Sequence, residues 1–265
     1  ELLRRGPAPD RIALLEKRVL DAGSLPGRVS AIFTLKQLAG AESHGVLVRA
    51  AADPAVREFA LRALADRRDE LTNVPKALLV QSLGDPDPRV QLQAITGLKR
   101  LGAVDVAAAI LPLTASTDLV IPQVAVEALV ALGASDAALS ALTSDKTTPA
   151  VEKGALRVLQ EIHNTPTVDG LIDAVSKTKS AERRAGMLQA LARLYYREGV
   201  WRGTLAEWWG TRPDTTGPYY DPVAWEESPR ILSVLRAAVV ATTTDAEPAQ
   251  LMRDLERNRV LPPGA

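Results

Sequence analysis

The chain has 265 residues, with 32 Lys plus Arg against 32 Asp plus Glu, and no cysteine. Zero formal charge gives no broad field to draw nucleic acid or an anionic membrane, and without thiols there is no disulfide, thiolate zinc site, iron–sulfur cluster, covalent haem attachment or cysteine nucleophile within this chain. No apolar run approaches the ~20 residues that span a bilayer, and no basic region followed by a short apolar segment reads as a signal peptide. The chain opens at Glu1 and not on a methionine, from which a segment of a longer protein is expected.

Taken in order, a first helix is expected from Asp10, with Ile12, Leu15 and Val19 on one side and a break at Gly23. Its partner starts after Ser24, carries Ala31, Leu35 and Leu38, and stops at Gly40. A short helix with Val46, Leu47 and Ala50 precedes one capped by Asp53 that runs through Leu64 and ends before Arg67. Asn73 and Pro75 open the next pair, with Leu78, Leu79 and Leu83, followed by the stretch from Asp87 to Gly102. The fourth pair spans Asp105 to Pro112 and then Asp118 onward, with Pro122 tolerated in a first turn. The fifth holds Asp136 and Leu139 to Leu142, then the helix after Thr148 with Val151, Ala155, Leu159 and Ile162. Thr165-Pro166 opens the sixth, with Leu171, Ile172 and Val175, before the helix that follows Ser180.

Within Asp87–Gly102 a capping residue is followed at +3, +7, +11 and +14 by Val90, Ala94, Leu98 and Leu101, the spacing of one apolar helix face. The pattern recurs. Its capping column is Ser24, Asp53, Asp87, Asp118, Thr148 and Ser180, separated by 29, 34, 31, 30 and 32 residues. Seven on stand Ala31, Ala60, Ala94, Ala125, Ala155 and Met187; four further stand Leu35, Leu64, Leu98, Leu129, Leu159 and Leu191. A small residue one turn before a large one lets neighbouring helices approach and interlock, which is what a stacked array of helical hairpins needs.

Pairs that start Asp-Pro-x-Val and end Leu-Gly, as in Asp87-Pro88-Arg89-Val90 to Leu101-Gly102, resemble HEAT repeats of the bilin-lyase-like subtype from Asp10 to Tyr196. The resemblance implies a scaffold that binds partners along its surface. Gly27 and Arg183 replace the usual Val of this position, as terminal units of an array do.

From Tyr195 to Trp225 the composition changes: all four Trp and all four Tyr lie here, against Phe33 and Phe59 elsewhere. Gly210, Gly217, Pro213, Pro218 and Pro222 prevent one regular element, while the aromatic density argues for order. Two roles are open: Trp201, Trp208, Trp209 and Trp225 seal the core at the end of the last repeat, or Trp208, Trp209, Arg212, Tyr219, Tyr220 and Trp225 form a binding surface. Ser228-Pro229 then opens a helix with Ile231, Leu232, Leu235 and Val239, and a last helix runs near Pro248 to Asn258. The phrase Trp208-Trp209-Gly210-Thr211-Arg212-Pro213-Asp214, with Gly217-Pro218-Tyr219-Tyr220 and Trp225-Glu226, is similar to a signature in the HEAT segment of planctomycete-type membrane-bound dehydrogenases that carry a haem-binding cytochrome c domain. That resemblance implies an exported or periplasmic parent whose redox chemistry lies in other domains.

Residues that could carry chemistry are few in the chain itself. His44 and His163 lie several repeats apart, too far along the array to share a metal, and are expected at the surface or at helix ends. Met187 and Met252 are expected to pack in the core and not to ligate haem. Asp53, Asp87 and Asp118 read as caps, and no Gly-rich phosphate loop or Ser-His-Asp context occurs.

The expectation is therefore an all-α protein, an α-solenoid of about six HEAT-like hairpins over 1–197, an aromatic Pro/Gly-rich cap loop over 198–228 and a closing helical pair over 229–265. Its expected role is a non-catalytic, monomeric scaffold that engages a protein partner or neighbouring domains of the same chain, with no cofactor, no metal, no nucleic acid and no membrane insertion. Arg57, Gln91, Gln93 and Lys153 on the inner helices are further contact candidates. The alternatives are an enzyme of DNA glycosylase-like or bilin lyase-like type, or carbohydrate binding through the Trp/Tyr loop.

Overall fold

A computed structural model of the chain describes residues 1–21, 23–204, 221–241 and 246–260, with the backbone alone at 246–248. The fold is all-α apart from one two-stranded ribbon, and it divides into two compact units, 1–132 and 133–265.

The first unit holds α1 (Leu2–Arg5), α2 (Pro9–Leu20), α3 (Leu25–Ala39), α4 (His44–Ala50), α5 (Arg57–Leu64), α6 (Lys76–Ser82), α7 (Pro88–Arg100), α8 (Ala107–Ile110) and α9 (Ile121–Ala131). α2 packs on α3, α4 on α5 and α6 on α7, so consecutive helices form hairpins; α3, α5, α7 and α9 then pack in sequence as an inner layer. The second unit holds α10 (Ser135–Thr143), α11 (Pro149–Leu159), α12 (Thr165–Lys177), α13 (Ala181–Leu194), β1 (Tyr196–Glu198), β2 (Pro222–Ala224), α14 (Ser228–Ala241) and α15 (Ala246–Arg257). Here α10 pairs with α11 and α12 with α13, the pairs stack, and both α14 and α15 pack on α13.

All six template leucines, Leu35, Leu64, Leu98, Leu129, Leu159 and Leu191, have no exposed surface. The small column one turn earlier, Ala31 to Met187, is buried with them. Gly97, facing α6, shows how close the helices come, because a Cβ there would meet Leu79 at 2.9 Å. The Leu-Gly ending also has a physical reason. Gly102 takes φ +64, the Ala103 N–H returns to the Leu98 carbonyl at 3.1 Å and the Gly102 N–H to that of Lys99 at 3.2 Å, which satisfies two of the free carbonyls of α7.

The caps follow the sequence in part. Asp87, Thr148 and Ser180 accept from the N–H groups of Arg89, Val151 and Arg183, and Asp118 accepts from both Val120 and Ile121. Ser24 makes no side-chain cap, and Asp10 lies inside α2, whose capping residue is Ala8. Asp53 does not open a helix either: one oxygen takes the Ala55 N–H, the other holds Arg28 of the preceding hairpin, and α5 begins only at Arg57. The fourth outer helix is broken into short pieces, Val104–Val106, α8 and Leu111–Ala115, with Pro112 near the start of the last. Strands were not expected. β1 and β2 pair antiparallel, Arg197 opposite Val223, and give the chain's return path partners for its backbone groups.

Replacing Leu98 by Ala is expected to cost about 2–5 kcal/mol, the range for truncating a fully buried leucine. Leu119→Ala, at a side chain 97% exposed, should leave stability within about 0.5 kcal/mol of the parent in urea unfolding.

Candidate functional site

The ribbon returns the chain to the end of α13, and Trp225 follows directly on β2. Its indole N–H donates to the Leu194 carbonyl at 2.8 Å, one of the carbonyls the last turn of α13 leaves free. The ring meets His163 edge-on at 5.8 Å, and the Arg197 guanidinium stacks 4.1 Å from its centre. The Trp225 N–H donates to Ser228 Oγ at 2.9 Å, and that hydroxyl donates to the Tyr195 carbonyl at 2.6 Å, tying the start of α14 to the end of α13. Arg197 also donates to the His163 carbonyl at 2.9 Å and faces Glu226 at 3.7 Å.

His163 sits under this closure with Nε2 at 2.9 Å from the Tyr196 carbonyl, so Nε2 carries the proton. Burial is the main cause that pushes its pKa down from 6.5 to about 4; nearby Arg193 and Arg197 push the same way, against the hydrogen bond to Tyr196. The imidazole is neutral at pH 7 and committed to the backbone.

Of the expected binding residues, Trp225 is 8% exposed and its ring lies in the core, so it belongs to the sealing of the last repeat and presents no free face. Trp208, Trp209, Arg212, Tyr219 and Tyr220 lie outside the described residues. Trp201 is partly exposed, its indole N–H 3.4 Å from the Thr204 carbonyl. On the inner helices Arg57 and Gln91 are already engaged: Arg57 donates to the Ala51 and Ala52 carbonyls and pairs with Asp85 at 2.6 Å, and Gln91 donates to the Asp85 carbonyl. Gln93 is partly exposed and Lys153 exposed.

Two polar arrangements were not foreseen. The first is a bracket four residues after the cap column. Arg28, 6% exposed, holds the Val19 carbonyl and Asp53, and Arg57 repeats the arrangement one hairpin on with Ala51 and Asp85. The column reading Arg28, Arg57 and Gln91 is visible in the sequence once the register is set.

The second is a buried cluster on α3 and α4. Lys36 is 1% exposed, and its ammonium lies 2.8 Å from both His44 Nε2 and Glu70, while Arg67 holds the other Glu70 oxygen at 3.0 Å. An ammonium can only donate, so His44 Nε2 accepts and the ring proton is on Nδ1, which is buried without a partner at hydrogen-bond geometry, facing the Thr72 backbone. Burial first, then the Lys36 charge, holds the His44 pKa below the usual imidazole value, and the Lys36 hydrogen bond holds Glu70 below the usual carboxylate range. His44 starts α4, but at 5% exposure it is not at the surface. Gly40, at φ +52, passes so near Glu70 that a Cβ would lie 3.2 Å from its carboxylate.

Among the described residues, no group of three or more His, Cys, Asp or Glu is placed to hold a metal ion. No single helix among them is long and apolar enough to cross a membrane.

No known protein family matches the sequence, and no curated protein does. Among solved structures the chain is similar to an engineered protein, 19% identical over 94% of this chain and 68% of the other, with a TM-score of 0.48. It is also similar to the complex of CpcE and CpcF of phycocyanin lyase from Nostoc sp. PCC7120, 20% identical over 96% of each chain, with a TM-score of 0.43. A second engineered protein is 18% identical over 96% of this chain and 98% of the other, with a TM-score of 0.32. Likeness at this level carries no activity from one chain to another.

Two outcomes follow from the buried groups. Because the folded pKa of His163 lies below its unfolded value, the unfolded chain binds more protons between about pH 4 and 6.5. The stabilisation, at most about 3 kcal/mol, is fully present above pH 6.5 and is lost as pH falls through that window. In urea titrations at several pH values, His163→Gln should show a smaller loss between pH 6.5 and 4 than the parent. Lys36→Met leaves Glu70 with Arg67 alone and His44 Nε2 with no donor; the expected cost is about 3–5 kcal/mol by the same measurement.

Proposed function

We propose that the chain is a non-catalytic scaffold or protein-interaction module, an internal segment of a larger exported redox protein. The observation that carries this reading is where the chemically capable side chains are used. Both imidazoles are neutral and bound within the fold, His44 to Lys36 and His163 to Tyr196. Arg28, Arg57 and Arg183 join hairpins, the last holding Glu152 at 2.6 Å. A nucleophile, base or anion site needs such groups free to meet a substrate, and here they hold the repeats together.

In this reading the redox chemistry belongs to other domains of an exported or periplasmic parent, and the segment stands as a monomer. The phrase around Trp208 and Trp209 supports the assignment, because it is the part of the chain that resembles the HEAT segment of haem-binding dehydrogenases. The partner is a neighbouring domain of the same parent or a separate protein, met by Trp208, Trp209, Arg212, Tyr219 and Tyr220, since Trp, Tyr and Arg dominate binding hot spots.

Mixing the purified chain with the separately expressed remainder of its parent should give co-elution in size-exclusion chromatography. Trp208→Ala combined with Trp209→Ala should abolish co-elution while leaving the melting temperature in place. A fluorescence titration of the chain with duplex DNA at low salt, a glycan panel and phycobilin should give no saturable change; saturable binding to any of them would replace the scaffold reading.

A further inference from the structure

Three ionisable side chains meet inside the first unit, beside the link between its first two hairpins. Lys36 comes from the last turn of α3, His44 opens α4, and Glu70 lies in the turn that leads from α5 to α6. Lys36 and His44 are buried, whereas the turn around Glu70 is mostly in water: Arg67, Arg68, Asp69, Thr72 and Asn73 are all exposed. Among the described residues, the ion pair that ties this turn to α3 is the one between Glu70 and Lys36. The Glu70 side chain is itself partly exposed, so water reaches the cluster along it.

Hydrogen-bond roles fix the protonation state of this arrangement. An ammonium has no lone pair, so Lys36 donates and His44 Nε2 accepts, which a ring protonated there cannot do. A proton on Nε2 would set a second cation 2.8 Å from the first. Nδ1 has no partner at hydrogen-bond geometry, so the ring is held by Lys36 alone. Burial first, and then the Lys36 charge, oppose protonation, while Glu70 and the Thr72 backbone favour it. No charged side chain of α2 or α5, the helices packed on α4, acts on the ring, and neither do Glu42 and Arg49. Glu70 is thus the one carboxylate that could offset a second charge, and Lys36 and Arg67 already share it.

We propose that the cluster is an acid-sensitive lock: protonation of His44 parts it from Lys36 and releases the turn at 67–73 from α3, while the hairpins on either side stay folded. The opening is local because the flanking anchors do not titrate. Val46, Leu47 and Ala50 hold α4, and Val74 and Leu79 hold the chain beyond the turn, all by buried apolar contact. Glu70 lies so near Gly40 that a Cβ there would stand 3.2 Å from its carboxylate, so its departure also uncovers the backbone that leads into α4. The lock lies in the first unit and does not rest on the scaffold reading or on the aromatic segment.

Amide hydrogen exchange of the whole chain, followed by mass spectrometry from about pH 8 to about pH 5 and corrected for the intrinsic rate, tests this. A ring that is neutral when closed and free to protonate near 6.5 when open raises the open population about tenfold for each pH unit below that value. Protection should therefore fall about tenfold or more at residues 40–44 and 67–73, and stay within a factor of about two at α7 and α9. His44→Gln, whose side-chain oxygen accepts from Lys36 at every pH, should remove the fall, and His163→Gln should leave it. Nitrogen-15 spectra of the imidazole give a reading that needs no variant: the neutral ring with its proton on Nδ1 should disappear along the same pH course as the protection. Protection that does not change with pH, a fall of equal size through the whole first unit, a fall that persists in His44→Gln, or a ring that titrates without loss of protection would overturn the proposal.

Discussion

Within each unit the hairpins bury their apolar faces on one another, through a column residue, alanine in all but one, and a leucine one turn on along the inner helix, and the other features of the fold depend on that contact. The alanine column brings the helices close, and the leucine column fills the space this leaves; Leu35, Leu64, Leu98, Leu129, Leu159 and Leu191 have no exposed surface. A single hairpin of some 30 residues cannot bury enough area alone. Stability is therefore shared between neighbours, and the geometry of each contact limits what the loops can do.

Close stacking brings polar groups inside with the apolar ones, and they must be satisfied there. Arg28 is the clearest case. It enters the interior between the first two hairpins, ends a carbonyl of α2 and meets Asp53, which gives up its expected cap to do so. The consequence is visible along the backbone: α5 starts late, and the residues after Asp53 form turns. Lys36 is buried more deeply still, and its ammonium fixes the tautomer of His44. Such groups add little net stability compared with apolar replacements, but each arrangement excludes the registers that would leave its charge alone.

The helices and their inward columns were legible in the sequence because both come from local periodicity, which a hairpin of about 30 residues repeats. Caps were legible where the cap residue has no stronger partner, as at Asp87, Thr148 and Ser180, and failed at Asp53, where an arginine 25 residues away competes. Nothing local to Lys36 marks it as buried; the start of α4 at His44 and the turn that carries Glu70, packed against it, make it a core residue. The aromatic segment was legible as a break in composition but not in its division of labour. Nothing local to Trp225 says that its indole N–H will find the end of α13, since that contact spans 31 residues and depends on a ribbon formed by three residues on each side.

The two units differ in how their hairpins are covered. In the second, the last hairpin is closed twice: α14 and α15 pack on α13, and Trp225 covers its carbonyl end with His163 and Arg197 locked around the ring. Terminal repeats of an array need such a cover, because an open face leaves leucines in water. In the first unit, the four-residue α1 packs on α3, and Leu14 of α2 is exposed.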